Sequence, residues 1–297
     1  MKVEVLLATY NGERYIEEQL NSLLNQTYKD FTILIGEDCS TDSTLVILES
    51  YKKQYPNKIK ILNNEIQRGH CYNFLNLLKE TTGDYIFFCD QDDIWEKNKI
   101  ELTLEKIKKI EVENFNIPIL IHTDQVIIDE KGKILSDSST VYFRKIIEFS
   151  SVEEIAFRGG LHGCTMLLNK KMLQLLKKIK IWECQKLVYH DWSIAIIAFM
   201  KGKVFYLDEK TMRYRIHQKN ASIRKYNIME KLNLKKLKEN THKIFSQYYS
   251  IKKIFEKQNN EEYKNLKYVE RLEVNYQIGS WKFERNFLKK IIKLLVV

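Results

Sequence analysis

Val3 to Ala8 is apolar apart from Glu4 and reads as a first buried strand, which the turn Thr9-Tyr10-Asn11-Gly12 ends. Ile16, Leu20, Leu23 and Leu24 then fall on one face of a helix, the spacing of a side laid against a sheet. The same alternation continues. Strands are predicted at Phe31–Ile35, Lys58–Leu62 and Tyr85–Cys89, with helices over Thr44–Tyr55, Tyr72–Lys79 and Ile100–Ile110. Strands separated by helices of this length imply parallel β-α-β units and an open, doubly wound α/β sheet.

Beyond about residue 117 the rhythm is less regular. Ile117–His122, Gly163–Leu168 and Val204–Leu207 read as strands, Lys170–Lys178 and Trp192–Met200 as helices. From about 226 the chain is polar, lysine-rich and helix-forming, with Gly279 as its only breaker. A boundary is therefore placed at 225, separating an α/β domain (1–225) from a basic helical carboxyl-terminal region (226–297).

Composition narrows the class. A chain of 297 residues with 44% hydrophobic and 30% charged residues suits a globular protein with a substantial core and excludes wholesale disorder. Cys39, Cys71, Cys89, Cys164 and Cys184 are scattered and odd in number, which argues against a disulfide framework or a zinc ribbon. No apolar run approaches the ~20 residues needed to span a bilayer, and the amino terminus has no signal-peptide core. The expected setting is cytoplasmic. The net charge is +10, and residues 231–297 hold 16 Lys or Arg against 7 Asp or Glu, so nearly all of the surplus lies at that end. Nucleic acid is disfavoured as a partner because no helix-turn-helix or RNA-binding pattern accompanies the charge.

The strongest chemical signal is Tyr85–Trp95, YIFFCDQDDIW. Three carboxylates, Asp90, Asp92 and Asp93, follow a buried run within four residues. Like charges so close repel unless something positive stands among them, and open α/β sheets bind ligands at the carboxyl ends of their strands. A metal site is the expectation. The bland alternative is that Asp90 ends the strand in a turn and Asp93 caps a helix starting near Ile94. No GxGxxG follows the first strand and no GxxxxGK[ST] occurs, so phosphates are held without a dinucleotide fingerprint or a P-loop. Carboxylates with Mg²⁺ or Mn²⁺ bridging a diphosphate would serve instead.

These motifs together resemble a family. Ala8-Thr9-Tyr10-Asn11-Gly12, Glu37-Asp38 with Ser40-Thr41-Asp42, Arg68-Gly69 with Asn73, Thr82-Gly83-Asp84-Tyr85 and Asp90-Gln91-Asp92-Asp93 are, in this order, similar to a family-2 glycosyltransferase over roughly residues 3–222. The resemblance implies the GT-A fold, a Rossmann-like nucleotide-sugar-binding sheet with flanking helices. It implies a nucleotide-sugar site made of Thr9, Tyr10, Asn11, Glu13, Asp38, Arg68, Gly69, Asn73, Asp90, Gln91 and Arg215. Asp38 would accept the base N–H, Asp90 would face the ribose, and Asp92 with His217 would hold Mn²⁺ or Mg²⁺.

Two further patches extend the resemblance, His190-Asp191-Trp192 and Met212–Asn220. Asp191 stands where the family places a general base that takes a proton from the acceptor hydroxyl, giving inversion. Many members have Glu-Asp where this chain has His190-Asp191. The pairing of HDW with YRxH is closest to bacterial enzymes adding rhamnose to surface polysaccharides, so dTDP-L-rhamnose is the expected donor and a glycan or polyprenyl-linked chain the expected acceptor. His162-Gly163-Cys164-Thr165 falls on the acceptor side, with Gly159 and Gly160 before it. The residues alone also fit helix caps at Asp38 and Asp191, a surface histidine at His217, a structural thiol at Cys164, and core roles for Trp95 and Trp192.

At the basic end, Trp281, Phe283, Phe287, Leu288, Ile291 and Ile292 alternate with Lys282, Arg285, Lys289 and Lys290. That pattern suits a helix on an anionic membrane surface, and equally one packed on the catalytic domain or a second subunit. Rival functions are a nucleotidyltransferase, which would carry a glycine-rich basic loop where this chain has ATYNG, and a non-catalytic nucleotide-sugar-binding protein.

Overall fold

A computed structural model describes residues 1–143, 155, 161–183, 187, 189–217, 220 and 251. The boundary at 225, the helical region 226–297 apart from Ile251, and Gly159, Gly160 and Cys184 lie outside the described residues.

Among the described residues nine strands form one sheet, in the order β3-β2-β1-β4-β8-β6-β9-β5, with β7 paired to β6. The first half follows the predicted alternation: β1 (Val3–Thr9), α1 (Ile16–Leu24), β2 (Phe31–Glu37), α2 (Thr44–Gln54), β3 (Ile59–Asn63), α3 (His70–Glu80) and β4 (Tyr85–Asp90). These four strands are parallel, and β1 is buried along its whole length. Its side chains serve two cores. Leu6 and Ala8 join α3 on one face, while Val3, Val5 and Leu7 join α1 and Leu48 of α2 on the other.

The second half, where the predicted rhythm is less regular, adds antiparallel strands. It comprises β5 (Ile94–Trp95), α4 (Lys99–Glu113), β6 (Ile119–Ile128), β7 (Ile134–Ser136), α5 (Ser139–Phe143), β8 (Met166–Asn169), α6 (Lys170–Lys178), α7 (His190–Lys201) and β9 (Lys203–Arg215). Strand β8 runs antiparallel to both β4 and β6, β5 antiparallel to β9, and β7 antiparallel to β6. A four-residue apolar run such as β8 carries no mark of its direction, so its antiparallel pairing is read from the fold alone. The supposed helix near Ile94 is the two-residue strand β5, and α4 begins only at Lys99. Asp93 caps no helix; its Oδ1 accepts the Arg215 backbone N–H at 3.0 Å. No helix among the described residues is long and apolar enough to cross a membrane.

The chain runs from β1 leftward to β2 and β3, then crosses back through α3 to place β4 on the other side of β1. This reversal opens a crevice beyond the carboxyl ends of β1 and β4, where such sheets bind ligands. The opposite end is tied by Glu4, whose Oε2 accepts the Thr82 and Gly83 N–H groups at 3.1 Å each. A Cβ on Gly83 would meet Ile86 Cδ1 at 2.7 Å, so Thr82-Gly83-Asp84 is a structural corner far from the crevice.

Candidate active site

The crevice is a cleft of about 180 Å³ lined by Ala8, Thr9, Tyr10, Asp38, Gln67, Gly69, His70, Asn73, Asp90, Gln91, Asp92, Tyr214 and Asn220. Its rim is built by three strand ends. Asn11 leaves β1 with φ 47°, a left-handed conformation that asparagine tolerates. Its Oδ1 accepts the Thr41 N–H at 2.8 Å, and Glu13 accepts the Ser43 N–H at 2.9 Å. Both residues therefore join the β1 loop to the start of α2 and do not line the cleft.

Asp38 is 2% exposed. Its Oδ1 accepts Asn64 Nδ2 at 2.8 Å and the Arg68 N–H at 2.9 Å, and its Oδ2 accepts the Gly69 N–H at 2.7 Å. A carboxylate offers about four acceptor positions, so this one fixes the loop into α3 and keeps a single position for a ligand. Arg68 takes part through its backbone, and its exposed side chain is not part of the lining. Asn73 and Thr9 line the cleft but both donate to the Gly36 carbonyl, at 2.8 and 3.2 Å.

The acidic strand end is divided among different surroundings. Asp90 Oδ1 meets His70 Nε2 at 3.0 Å. Burial works against the charged form of Asp90, but the hydrogen bond and charge of His70 outweigh it and lower its pKa. For His70 burial is likewise outweighed, chiefly by Asp90 and also by Asp191 and Asp92, and its pKa is raised. Asp92 Oδ2 lies 2.6 Å from His217 Nε2, although the two are 125 residues apart in sequence. Both side chains are mostly buried, at 14% and 10% exposure, and Asp92 opens on the cleft.

This pair fits a divalent cation. An oxygen and an imidazole nitrogen converge on one point, and the mixed donor set suits Mn²⁺ better than Mg²⁺, which prefers oxygen alone. Arg215, also expected at the nucleotide sugar, is occupied elsewhere: its Nε donates to the Asp92 carbonyl at 2.9 Å, its Nη1 to the Glu130 carbonyl at 3.2 Å, and its Nη2 to Glu18. It is 3% exposed and clamps the loop carrying Asp92 rather than lining the cleft.

Asp191 stands in the first turn of α7, its Oδ1 accepting the Trp192 N–H at 2.8 Å and its Oδ2 the Gly163 N–H at 3.3 Å. Burial raises its pKa above the ordinary carboxylate value, with Asp90 adding to the effect; the Trp192 and Gly163 N–H groups and His70 offset only part. The preceding His190 is 2% exposed and stacks on Phe74 at 4.2 Å. Burial pushes its pKa well down, so the ring is a neutral packing element where the family often has a carboxylate. Gly163 must be glycine here, since a Cβ would meet His190 Nε2 at 2.7 Å.

Comparison with known proteins settles the class. The profile described as "Glycosyl transferase family 2" matches residues 4–160. The chain belongs to this family. The glycosyltransferase is 33% identical over 222 residues to the dTDP-rhamnosyl transferase RfbG of Shigella flexneri, covering 72% of each chain. It is 32% identical over 134 residues to the putative glycosyltransferase EpsE of Bacillus subtilis, covering 44% of this chain and 45% of that one. Among solved structures, TarS 1-349 of S. aureus in complex with UDP-GlcNAc aligns with a TM-score of 0.55 at 23% identity, over 86% of this chain and 73% of that one. The mannosyltransferase PcManGT of Pyrobaculum calidifontis in complex with GDP-Man and Mn²⁺ aligns with a TM-score of 0.52 at 14% identity, over 99% and 86%. At such identities these structures speak for the fold, which is GT-A.

Family membership makes the glycosyltransferase an enzyme and removes the nucleotidyltransferase and the non-catalytic binding protein as readings. Sequence reasoning did not single out Gln67, His70, Tyr214 or Asn220 as cleft residues. His70 directly follows Arg68-Gly69, and Tyr214 and Asn220 belong to the Met212–Asn220 patch, so the adjoining motifs were the available signal.

Proposed function

We propose that the enzyme is an inverting, metal-dependent glycosyltransferase. It moves a sugar from a nucleoside-diphosphate donor to a glycan or lipid-linked acceptor of surface polysaccharide synthesis. The observation that carries this reading is the meeting of Asp92, which lines the cleft, with His217 at 2.6 Å. Asp92 and His217 would hold a divalent cation, which when bound would supply Lewis-acid neutralisation of the diphosphate charge. The chain's own residues do the rest. The loop fixed by Asp38 and the Tyr10 backbone holds the nucleoside, and Asp90, braced by His70, bounds the ribose.

Asp191 takes the proton from the acceptor hydroxyl as that oxygen attacks the anomeric carbon. The bond to the diphosphate breaks on the opposite side, and the configuration inverts. A carboxylate whose pKa is raised is the better proton acceptor, and such a base contributes about 10² to 10⁴ in rate. The likeness to a dTDP-rhamnosyl transferase supports dTDP-L-rhamnose as the donor. The basic, aromatic composition of 231–297 supports peripheral contact with the cytoplasmic face of an anionic membrane.

The test is release of nucleoside diphosphate from a panel of donors with Mn²⁺ and a lipid-linked acceptor. dTDP-L-rhamnose should be turned over and metal-free enzyme should be inactive. Turnover of UDP- or GDP-sugars alone would replace the donor, and full activity in EDTA would remove the metal role. Flotation with anionic liposomes, lost on truncation before Leu232, tests the membrane contact.

A further inference from the structure

Three of the side chains lining the cleft are carboxylates, Asp38, Asp90 and Asp92. A nucleoside diphosphate is itself an anion, so each carboxylate must be offset before a donor can lie beside it. Asp38 is held by Asn64 and two backbone N–H groups, and Asp92 meets His217. Asp90 has His70, whose Nε2 lies 3.0 Å from its Oδ1. Among the described residues that line the cleft there is no lysine or arginine, and His70 is the side chain able to carry a positive charge.

The place of His70 is set from both ends of the cleft. It directly follows Gly69, whose N–H is fixed on Asp38, and it reaches Asp90, two residues before Asp92. It therefore stands between the carboxylate assigned to the nucleoside and the pair assigned to the cation. Its ring packs edge-on against Phe74, with centroids 5.0 Å apart at 83°, and lies 5.2 Å from the ring of His190. Phe74 and His190 are both buried, so the support is firm, while 47% of the His70 side chain stays exposed. Asp90 takes one of the two ring nitrogens, and the other is left for a ligand. His70 also opens α3, whose first turn has no acidic residue, so the positive end of that helix adds to the same place.

We infer that His70 is the anion-binding side chain of the cleft: while Nε2–H stays on Asp90, Nδ1–H is given to the phosphate next to the nucleoside. An imidazole protonated on both nitrogens donates on both sides. Burial opposes that form, but Asp90 outweighs it and the His70 pKa is raised. An arriving phosphate acts in the same sense. The ring thus screens Asp90 from the donor and grips the donor at once.

The inference rests on the nucleotide-sugar reading above but not on its metal, so binding is measured on the full chain in EDTA at neutral pH. The ligands are thymidine, dTMP and dTDP, with uridine, UMP and UDP as a second series. Calorimetry reads the phosphorylated ligands and chemical-shift titration the nucleosides. His70→Gln keeps a donor for Asp90 and removes the imidazole; His70→Ala removes both.

His70→Gln should bind the nucleoside as wild type does and bind the monophosphate and diphosphate roughly tenfold more weakly, the order of one charge-assisted hydrogen bond. His70→Ala should show the same phosphate-dependent loss. A residue that only steadied Asp90 would be replaced by glutamine without loss, so undiminished monophosphate binding by His70→Gln overturns the inference. An equal loss for nucleoside and monophosphate overturns it too, and a loss confined to the diphosphate overturns the placement beside the nucleoside. Failure of both variants to melt cooperatively makes His70 a structural residue and likewise overturns it. If wild type binds only with Mn²⁺ present, the same pattern is required in Mn²⁺. Wild-type protein that binds neither series under either condition removes the nucleotide-sugar reading itself, and the assignment falls with it.

Discussion

The side-chain amide of Gln91 is paired with the backbone of Tyr10. Tyr10 N–H donates to Gln91 Oε1 at 2.9 Å, and Gln91 Nε2 donates to the Tyr10 carbonyl at 2.9 Å. The pair bolts the end of β1 to the loop after β4, across the crevice where the strand order reverses. A Cβ on Gly12 would lie 2.2 Å from Gln91 Oε1. Gly12→Ala should therefore unseat the amide and weaken donor binding by about tenfold, the effect of losing roughly one to two hydrogen bonds. Gln91→Ala should reproduce it. Calorimetric titration with the donor checks both; undiminished affinity in Gln91→Ala would show the clamp to be idle.

Asp191→Asn keeps an acceptor for the Trp192 and Gly163 N–H groups and removes the proton acceptor. Donor affinity should hold while transfer falls at least about a hundredfold. Unchanged turnover would take the base role from Asp191.

The same carboxylate sets a pH dependence. Its pKa lies above the ordinary value because of burial, and only the deprotonated form accepts a proton. Transfer should fall as pH drops through this raised value, at higher pH than the ~3.9 of a free aspartate. A profile of kcat/KM against pH that stays flat down to pH 4 would contradict this.

Asp92→Ala and His217→Ala should each abolish the Mn²⁺-dependent part of donor binding. Thermal shift with nucleoside diphosphate, in Mn²⁺ and in EDTA, reads this directly. Retained metal-dependent shifts in both variants would move the cation elsewhere.

Asp124 is a buried knot behind the site. Its Oδ1 accepts the Gln125 N–H at 2.8 Å and the Ser139 N–H at 3.0 Å, while Oδ2 accepts the Ser138 hydroxyl at 2.5 Å. Burial opposes its charge, but the Ser138, Gln125, Ser139 and Thr140 hydrogen bonds prevail and lower its pKa. A lowered folded-state pKa contributes stability above the unfolded value near ~3.9 and loses it as pH falls through the folded one. Asp124→Asn should cost about 2 kcal/mol in urea unfolding at pH 7. The gap to wild type should close below about pH 4.

The left half of the sheet was legible because β1, β2 and β4 are largely buried apolar runs and β1, β2 and β3 are each followed by a helix. The right half was not. Strand β9 continues past Leu207 through Asp208, Glu209 and Lys210, an exposed polar stretch that ends the apolar pattern but not the pairing with β6, which shifts register there. The resemblance supplied Asp92, Asp191 and His217, and the fold brings Asp92 to His217. Arg215 and Glu13 look the same in sequence whether they face a ligand or a neighbouring loop. Only the fold reveals that Arg215 holds Asp92 and Glu130 carbonyls and that Glu13 holds Ser43. Lys99 reads in sequence as an ordinary solvated lysine, yet the fold buries it completely.

Asp92 leaves the sheet at β4, while His217 arrives only after β9 has threaded beside β6. A nascent chain that has emerged from the ribosome as far as the acidic triplet owns the first half of the pincer and none of the second. Joining Asp92 to His217 thereby waits on the placing of β9.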